Sequence, residues 1–229
     1  MISHQDPGLA MVFDLDGTLI DSVGDIVGAA NRLLAEEGRR PVPRDAGRHM
    51  VGEGAGPLLE RAFAATGEAL ELDAMPDLLH RYRAHYERYP IEHTTVFPGV
   101  FEVLRALVDD GAVLGVCTNK PHGASLLVLE ELGLAEFFAA VLGGDALKVR
   151  KPDAAHLNAV IEAMGATGLA AIHVGDSPTD VAVARNAGVP VIAVSHGYSR
   201  VPPAELGADA LIDDFSELRP AIAAIRNRV

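Results

Sequence analysis

Short apolar runs alternate with amphipathic stretches through most of this chain, and that alternation limits the fold more than any other feature. The runs LAMVF at 9–13, AVLGVC at 112–117, AVLG at 140–143, AAIHVG at 170–175, VPVIAV at 189–194 and DALI at 209–212 each have the length of a buried strand. Between the later runs lie VFEVLRALVDDG, ASLLVLEELG, AAHLNAVIEAMG, TDVAVARNAG and FSELRPAIAAI. Their apolar positions recur near the helical period, and several end in glycine, which stops a helix. Buried strands separated by helices predict an α/β protein, a Rossmann-like parallel sheet covered on both faces.

One block breaks the pattern. Residues 22–94 contain SVGDIVGAANRLLAEEG, AGPLLERAFAATG and LDAMPDLLHRYRAHYERY, all helical in pattern, with little strand signal between them. We read it as an α-helical cap domain inserted between a first core segment, 1–21, and a second, 95–229. Hinges are expected near Asp21 and near Thr95 to Gly99, where Pro98 and Gly99 restart the main domain. An insertion there stands over the carboxyl ends of the strands, where open α/β sheets bind ligands.

Composition narrows the partners. A formal net charge of -13 over 229 residues, with no basic cluster interleaved with aromatics, argues against a nucleic-acid surface and suits a small metabolite or a divalent cation. No apolar stretch approaches the roughly 20 residues that span a bilayer, and MISHQDPG lacks the basic and apolar regions of a leader, so the expected address is cytoplasmic with no membrane partner. The single cysteine, Cys117, reads as a buried core thiol. Oligomeric state is not legible.

The chemistry lies at the strand ends. VFDLDGT finishes the first run with Asp14 and Asp16, and VGDSPTD puts Asp176 and Asp180 after another. Two carboxylates about 4 Å apart repel by about 4 kcal/mol at an effective dielectric near 20, so four around one small volume need a cation or protonation to relieve them. Mg2+, a hard ion served by carboxylates, a carbonyl and waters, fits. VCTNKP adds Thr118 and Asn119, and VRKPD adds Lys151. A hydroxyl, an amide and an ammonium facing a metal suit a phosphoryl group. Asp14 would then attack phosphorus, Asp16 would act as acid and base, and Lys151 would stabilise the transferring oxygens.

DLDGT at 14–18, TN at 118–119, KP at 151–152 and GDSPTD at 175–180 resemble the four ordered motifs of the haloacid-dehalogenase-like hydrolase superfamily, in its phosphatase branch. The resemblance extends to the helical cap. It implies Asp14 as nucleophile, Asp16 as acid/base, and Mg2+ ligands from Asp14, the Asp16 backbone carbonyl and Asp176. Asp180 would orient the metal's water shell or Lys151. FDLDGTLIDS, CTNKP, GGDALKVRKPD, HVGDSPTDVAVARNAG and SHGYS are most similar to the phosphoglycolate phosphatase family within it, which implies hydrolysis of 2-phosphoglycolate.

Rival readings are a broader phosphatase of sugar phosphates, nucleotides or pyrophosphate, a phosphosugar mutase, and a phosphate-binding regulatory protein without turnover. Intact Asp14 and Asp16 argue against the last, and the full carboxylate set argues against a dehalogenase. VGEGAG at 51–56 lacks the Lys-Ser/Thr ending of a nucleotide loop. It is read as a cap loop closing over the substrate, in which Gly52, Glu53 and Gly54 help select the leaving group, or as an ordinary interhelix turn. His80 and His85 read as packed or solvated, Arg83 and Arg88 as a solvated helix face before a reach from the cap toward an anionic substrate, His122 as capping, exposed or approaching the phosphate, and His173 as core packing before a supporting place behind the carboxylates.

Overall fold

The computed structural model describes residues 8–89 and 91–227; the start of the N-terminal stretch and the last two residues of the second core segment lie outside the described residues. Each expected strand forms: β1 Leu9–Phe13, then, after a two-residue β2 (Ile20–Asp21) and β3 (Thr95–Val96), β4 Val113–Cys117, β5 Ala140–Leu142, β6 Ala170–Gly175, β7 Val191–Val194 and β8 Ala210–Ile212. Six of them make one parallel sheet in the order β5-β4-β1-β6-β7-β8. Strand β1 is where the order reverses, so the carboxyl ends of β1, β4 and β6 open a crevice there.

Side chains alternate across a strand, and β1 divides accordingly. Leu9, Met11 and Phe13 enter one core with Val103 and Leu107 of α5 (Val100–Asp109) and Ile222 of α9 (Leu218–Arg226). Ala10 and Val12 enter another with Leu157 and Val160 of α7 (Ala154–Ala163) and Val183 of α8 (Pro178–Ala187). Helix α6 (His122–Glu131) adds Val128 and Leu129 to the first core. Cys117 lies in the second, and burial pushes its thiol up to about 12, so it stays protonated.

The helical block packs on itself. Helices α1 (Val23–Glu36), α3 (Ala55–Thr66) and α4 (Met75–Arg88) share a separate core containing Leu33, Leu34, Leu59, Phe63 and Tyr82, while the short α2 (Arg44–Arg48) was not expected. Where the chain leaves and re-enters the sheet domain, β2 and β3 pair antiparallel, Ile20 with Val96 and Asp21 with Thr95. The two crossings are thereby held side by side. Among the described residues no helix is long and apolar enough to cross a membrane.

Candidate active site

Asp14 follows β1 directly and is 5% exposed, with its backbone N–H donating to the Val174 carbonyl of β6. Asp176 follows β6, and Asp180 sits in the first turn of α8; these three carboxylates offer oxygens within 4.8 Å of one another, all buried. Lys151, 3% exposed, reaches between them with Nζ 2.8 Å from Asp14 Oδ1 and 2.7 Å from Asp180 Oδ1. One ammonium against three carboxylates leaves an excess of buried negative charge.

The protonation equilibria carry that excess. Burial raises the Asp14 carboxyl above its ordinary value against the pull of Lys151. Burial, then Asp180 and Asp14, raise Asp176 well above it. Asp180 is the exception: burial pushes up, but Lys151 and His173, whose Nε2 lies 3.1 Å away, hold it below the carboxylate range. Burial also penalises the Lys151 ammonium, yet Asp14 and Asp180 keep it charged. A hard cation on Asp14 and Asp176 would relieve the repulsion, and the all-oxygen donor set fits Mg2+.

The cluster is held by local geometry. Ser177 caps α8 in a reciprocal box: its Oγ accepts from Asp180 N and its own N–H donates to Asp180 Oδ2 at 3.1 Å, while its Oγ donates to the same oxygen at 2.6 Å, so the helix start also orients the carboxylate. Asp176 Oδ2 accepts from Tyr198 N at 2.6 Å, and Oδ1 accepts from Thr18 Oγ1 at 3.3 Å. Gly17, at φ 87°, and Gly197 both press on this carboxylate; a Cβ on Gly17 would meet Asp176 Oδ2 at 2.6 Å.

Asp16 is not part of the cluster. Its Oδ1 accepts from Ser22 Oγ at 2.6 Å, and Lys120 Nζ donates to its two oxygens at 2.9 and 3.1 Å. Four gathered carboxylates therefore resolve into three around Lys151 and one on Lys120. Thr118, buried, and Asn119 follow β4 as expected; Thr118 Oγ1 accepts from Lys120 N, and Asn119 Nδ2 donates to the Lys151 carbonyl at 3.2 Å.

Asp14, Asp16, Thr118 and Asn119 floor a cavity of about 390 Å³ whose roof is the helical block, with Ile26, Leu58, Tyr82 and Tyr86. Asp176 opens instead onto a second cavity of about 380 Å³ walled in part by Arg48 and Gly197. Of the 51–56 loop, Gly52 and Gly54 line the first cavity. Glu53 is not among its lining residues, and its carboxylate pairs with Arg61 of the same block at 2.6 Å and with Arg200 of the sheet domain at 2.5 Å. Arg48 likewise bridges the two halves, donating to the His196 and Gly197 carbonyls. Arg83 lines the cavity at its exposed edge, while Arg88 lies over the Tyr89 ring. His85 faces Glu36, and His122 turns its Nδ1 to the Gly143 N–H.

Sequence reasoning missed Lys120, Tyr86, Tyr198, Ser22 and Arg48. Lys120 stood in view in TNKP, directly after the strand-end pair, but its pairing with Asp16 depends on two distant strand ends meeting.

An open parallel sheet with a helical cap over aspartates at its switch point defines a class of hydrolase, and comparison with known proteins agrees. The chain belongs to the haloacid dehalogenase-like hydrolase family, whose pattern it matches over residues 11–194. It is 49% identical over 213 residues to the phosphoglycolate phosphatase of Rhodospirillum rubrum, covering 91% of this chain and 88% of that one. It is 44% identical over 218 residues to that of Caulobacter vibrioides, covering 95% and 92%. The crystal structure of a predicted phosphoglycolate phosphatase from Haemophilus somnus superposes with a TM-score of 0.84 at 28% identity, covering 93% of this chain and 97% of that one.

Proposed function

We propose that this enzyme is a magnesium-dependent phosphomonoesterase that hydrolyses 2-phosphoglycolate to glycolate and phosphate through an aspartyl-phosphate on Asp14. The observation that carries the reading is Asp14 itself, buried, fronted by Lys151 and facing a covered cavity beside Asp16. An Asp14 oxygen forms a bond to phosphorus as the ester P–O bond breaks, and Asp16 gives its proton to the departing glycolate oxygen. Asp16 then takes a proton from water, whose oxygen bonds phosphorus as the acyl-phosphate P–O bond breaks and frees phosphate and Asp14. Thr118, Asn119 and Lys151 hold the phosphoryl oxygens. Asp14, the Asp16 carbonyl and Asp176 would hold Mg2+, with Asp180 steadying Lys151 and the water shell; the bound ion neutralises charge on carboxylates and phosphoryl oxygens. Residues 22–94 act as the cap, which excludes bulk water, and Gly52 and Gly54 shape its loop.

The names carried by the Rhodospirillum and Caulobacter relatives support the substrate. A cavity of about 390 Å³ with an apolar roof is larger than a two-carbon leaving group needs, which favours a broader sugar-phosphate or nucleotide phosphatase as the second reading. Values of kcat/KM with Mg2+ across 2-phosphoglycolate, phosphosugars, nucleotides and pyrophosphate decide between them. A preference of about 100-fold, or about 2.7 kcal/mol, for 2-phosphoglycolate is expected, with turnover abolished by chelation and by Asp14→Asn. A flat profile overturns the substrate and leaves the aspartate chemistry; turnover in Asp14→Asn overturns the aspartyl-phosphate.

A further inference from the structure

The cavity floor carries one cation that phosphoryl transfer does not use. Lys120 is 7% exposed, gives two of its three N–H directions to Asp16 and has the third on the side of Tyr86. Its ammonium lies 4.6 Å from the centroid of the Tyr86 ring, which comes from α4 on the opposite wall. The Tyr86 hydroxyl is buried, lies beside that ammonium, and has no aligned hydrogen-bond partner among the described residues. Burial raises its pKa, so it is an O–H donor at neutral pH. A buried donor left unmatched costs about 1–3 kcal/mol, which an arriving acceptor recovers.

We infer that Lys120 and Tyr86 together form the subsite for an anionic group, a carboxylate, on the leaving alcohol. The inference rests on the 2-phosphoglycolate reading and deepens it. In that substrate the carboxylate carbon is two bonds from the ester oxygen that Asp16 protonates, so its recognition group must lie next to Asp16. Lys120 does. Tyr86 arrives only with the cap, so the subsite is complete when the two halves meet, and a leaving group without an acceptor leaves the hydroxyl unsatisfied. Arg83 stands at the exposed edge of the same cavity and suits an anion carried further from the phosphate.

The test compares 2-phosphoglycolate with isobutyl phosphate, which has the same branched shape without the charge. Wild type, Tyr86→Phe, Lys120→Met and Arg83→Met are assayed for kcat/KM on both esters, with circular dichroism as a folding check. Tyr86→Phe keeps the ring, so it reads the hydroxyl alone. The expected result is a wild-type preference for 2-phosphoglycolate that shrinks about 10- to 100-fold in Lys120→Met and about 10-fold in Tyr86→Phe, with Arg83→Met unchanged. Equal losses on both esters would mean that Lys120 and Tyr86 serve only Asp16 and the cap, and would sink the subsite while leaving the substrate reading in place. Collapse of the preference in Arg83→Met alone moves the subsite to the rim and overturns this assignment. No preference in wild type removes the substrate reading, and the subsite with it.

Discussion

Tyr198 ties three parts of the molecule together through one side chain and one amide. Its hydroxyl accepts from Ser22 N at 2.7 Å and Val23 N at 3.1 Å, two N–H groups at the start of α1, and donates to Asp21 Oδ1 at 2.8 Å, while its own N–H holds Asp176. Tyr198→Phe leaves those helix N–H groups buried without a partner, and the expected cost is about 1–3 kcal/mol, read from the denaturant midpoint at constant m-value. His156 acts through protons. It is buried, and burial followed by the Lys151 charge lowers its pKa below the ordinary value of about 6.5, against the opposite pull of the Gly143 and Leu142 backbone. Below that pH the unfolded chain binds a proton that the folded chain resists, so stability is full above about 6.5 and falls as pH drops through it. Burial lowers His196 in the same direction. Raised Asp14 and Asp176 work in the opposite direction, so the check is the difference: from pH 7.5 to 5.0 the melting temperature of the wild type should fall relative to that of His156→Gln.

Helix α8 shows how an element can position a buried carboxylate by its own end. The Ser-Pro-Thr-Asp start supplies a cap at Ser177 and proline in the first turn, and the reciprocal box turns Asp180 inward to meet Lys151. Ser177→Ala removes the cap and one partner of a buried carboxylate. It should cost about 1 kcal/mol and lower the melting temperature by about 2–4 °C, with a parallel fall in kcat because Asp180 no longer holds Lys151 firmly. Calorimetry and steady-state kinetics on the same preparation check both. The two-residue pair β2 and β3 does comparable work with less material. It binds the exit and re-entry of the helical block together.

At the scale of the whole molecule, the core of the helical block packs separately from those of the sheet domain, and the site lies between them, with Arg48 to the 196–197 carbonyls, Glu53 to Arg200, Tyr198 to the start of α1 and Lys120 beneath Tyr86 among the ties across. The carboxylate cluster lies on the sheet side alone, so its ion should stabilise that half whatever the cap does. At a free Mg2+ concentration of about 100 times its dissociation constant, stabilisation is about 2.7 kcal/mol. For a chain of this size that is a rise of about 5–10 °C in melting temperature. Asp176→Asn should abolish the rise; its persistence would mean that the ion is held elsewhere.

Much of this was legible in residues that act locally. Strand length, helical period, helix stops and the sudden loss of strand signal after Asp21 each report on a short window, and a window suffices because burial imposes the period on the element itself. The same reasoning put Asp14, Thr118, Lys151 and Asp176 at strand ends, and α/β topology brings strand ends together. Glu53 and Lys120 show where it stopped. Glu53 sat in a loop over the site, but its side chain turned to arginines from two different cores. Lys120 stands 104 residues from Asp16, and Tyr198 stands 177 from Asp21. The amino-acid sequence alone therefore determined the parallel sheet, the helical insertion and which chemical groups reach the strand ends. Tertiary structure alone decided that Asp16 leaves the carboxylate cluster for Lys120 and that Tyr86 closes over it. The physical reason is that periodicity states which side of its own element a residue faces, whereas charge pairing across a cavity depends on how far apart two separately packed cores come to rest.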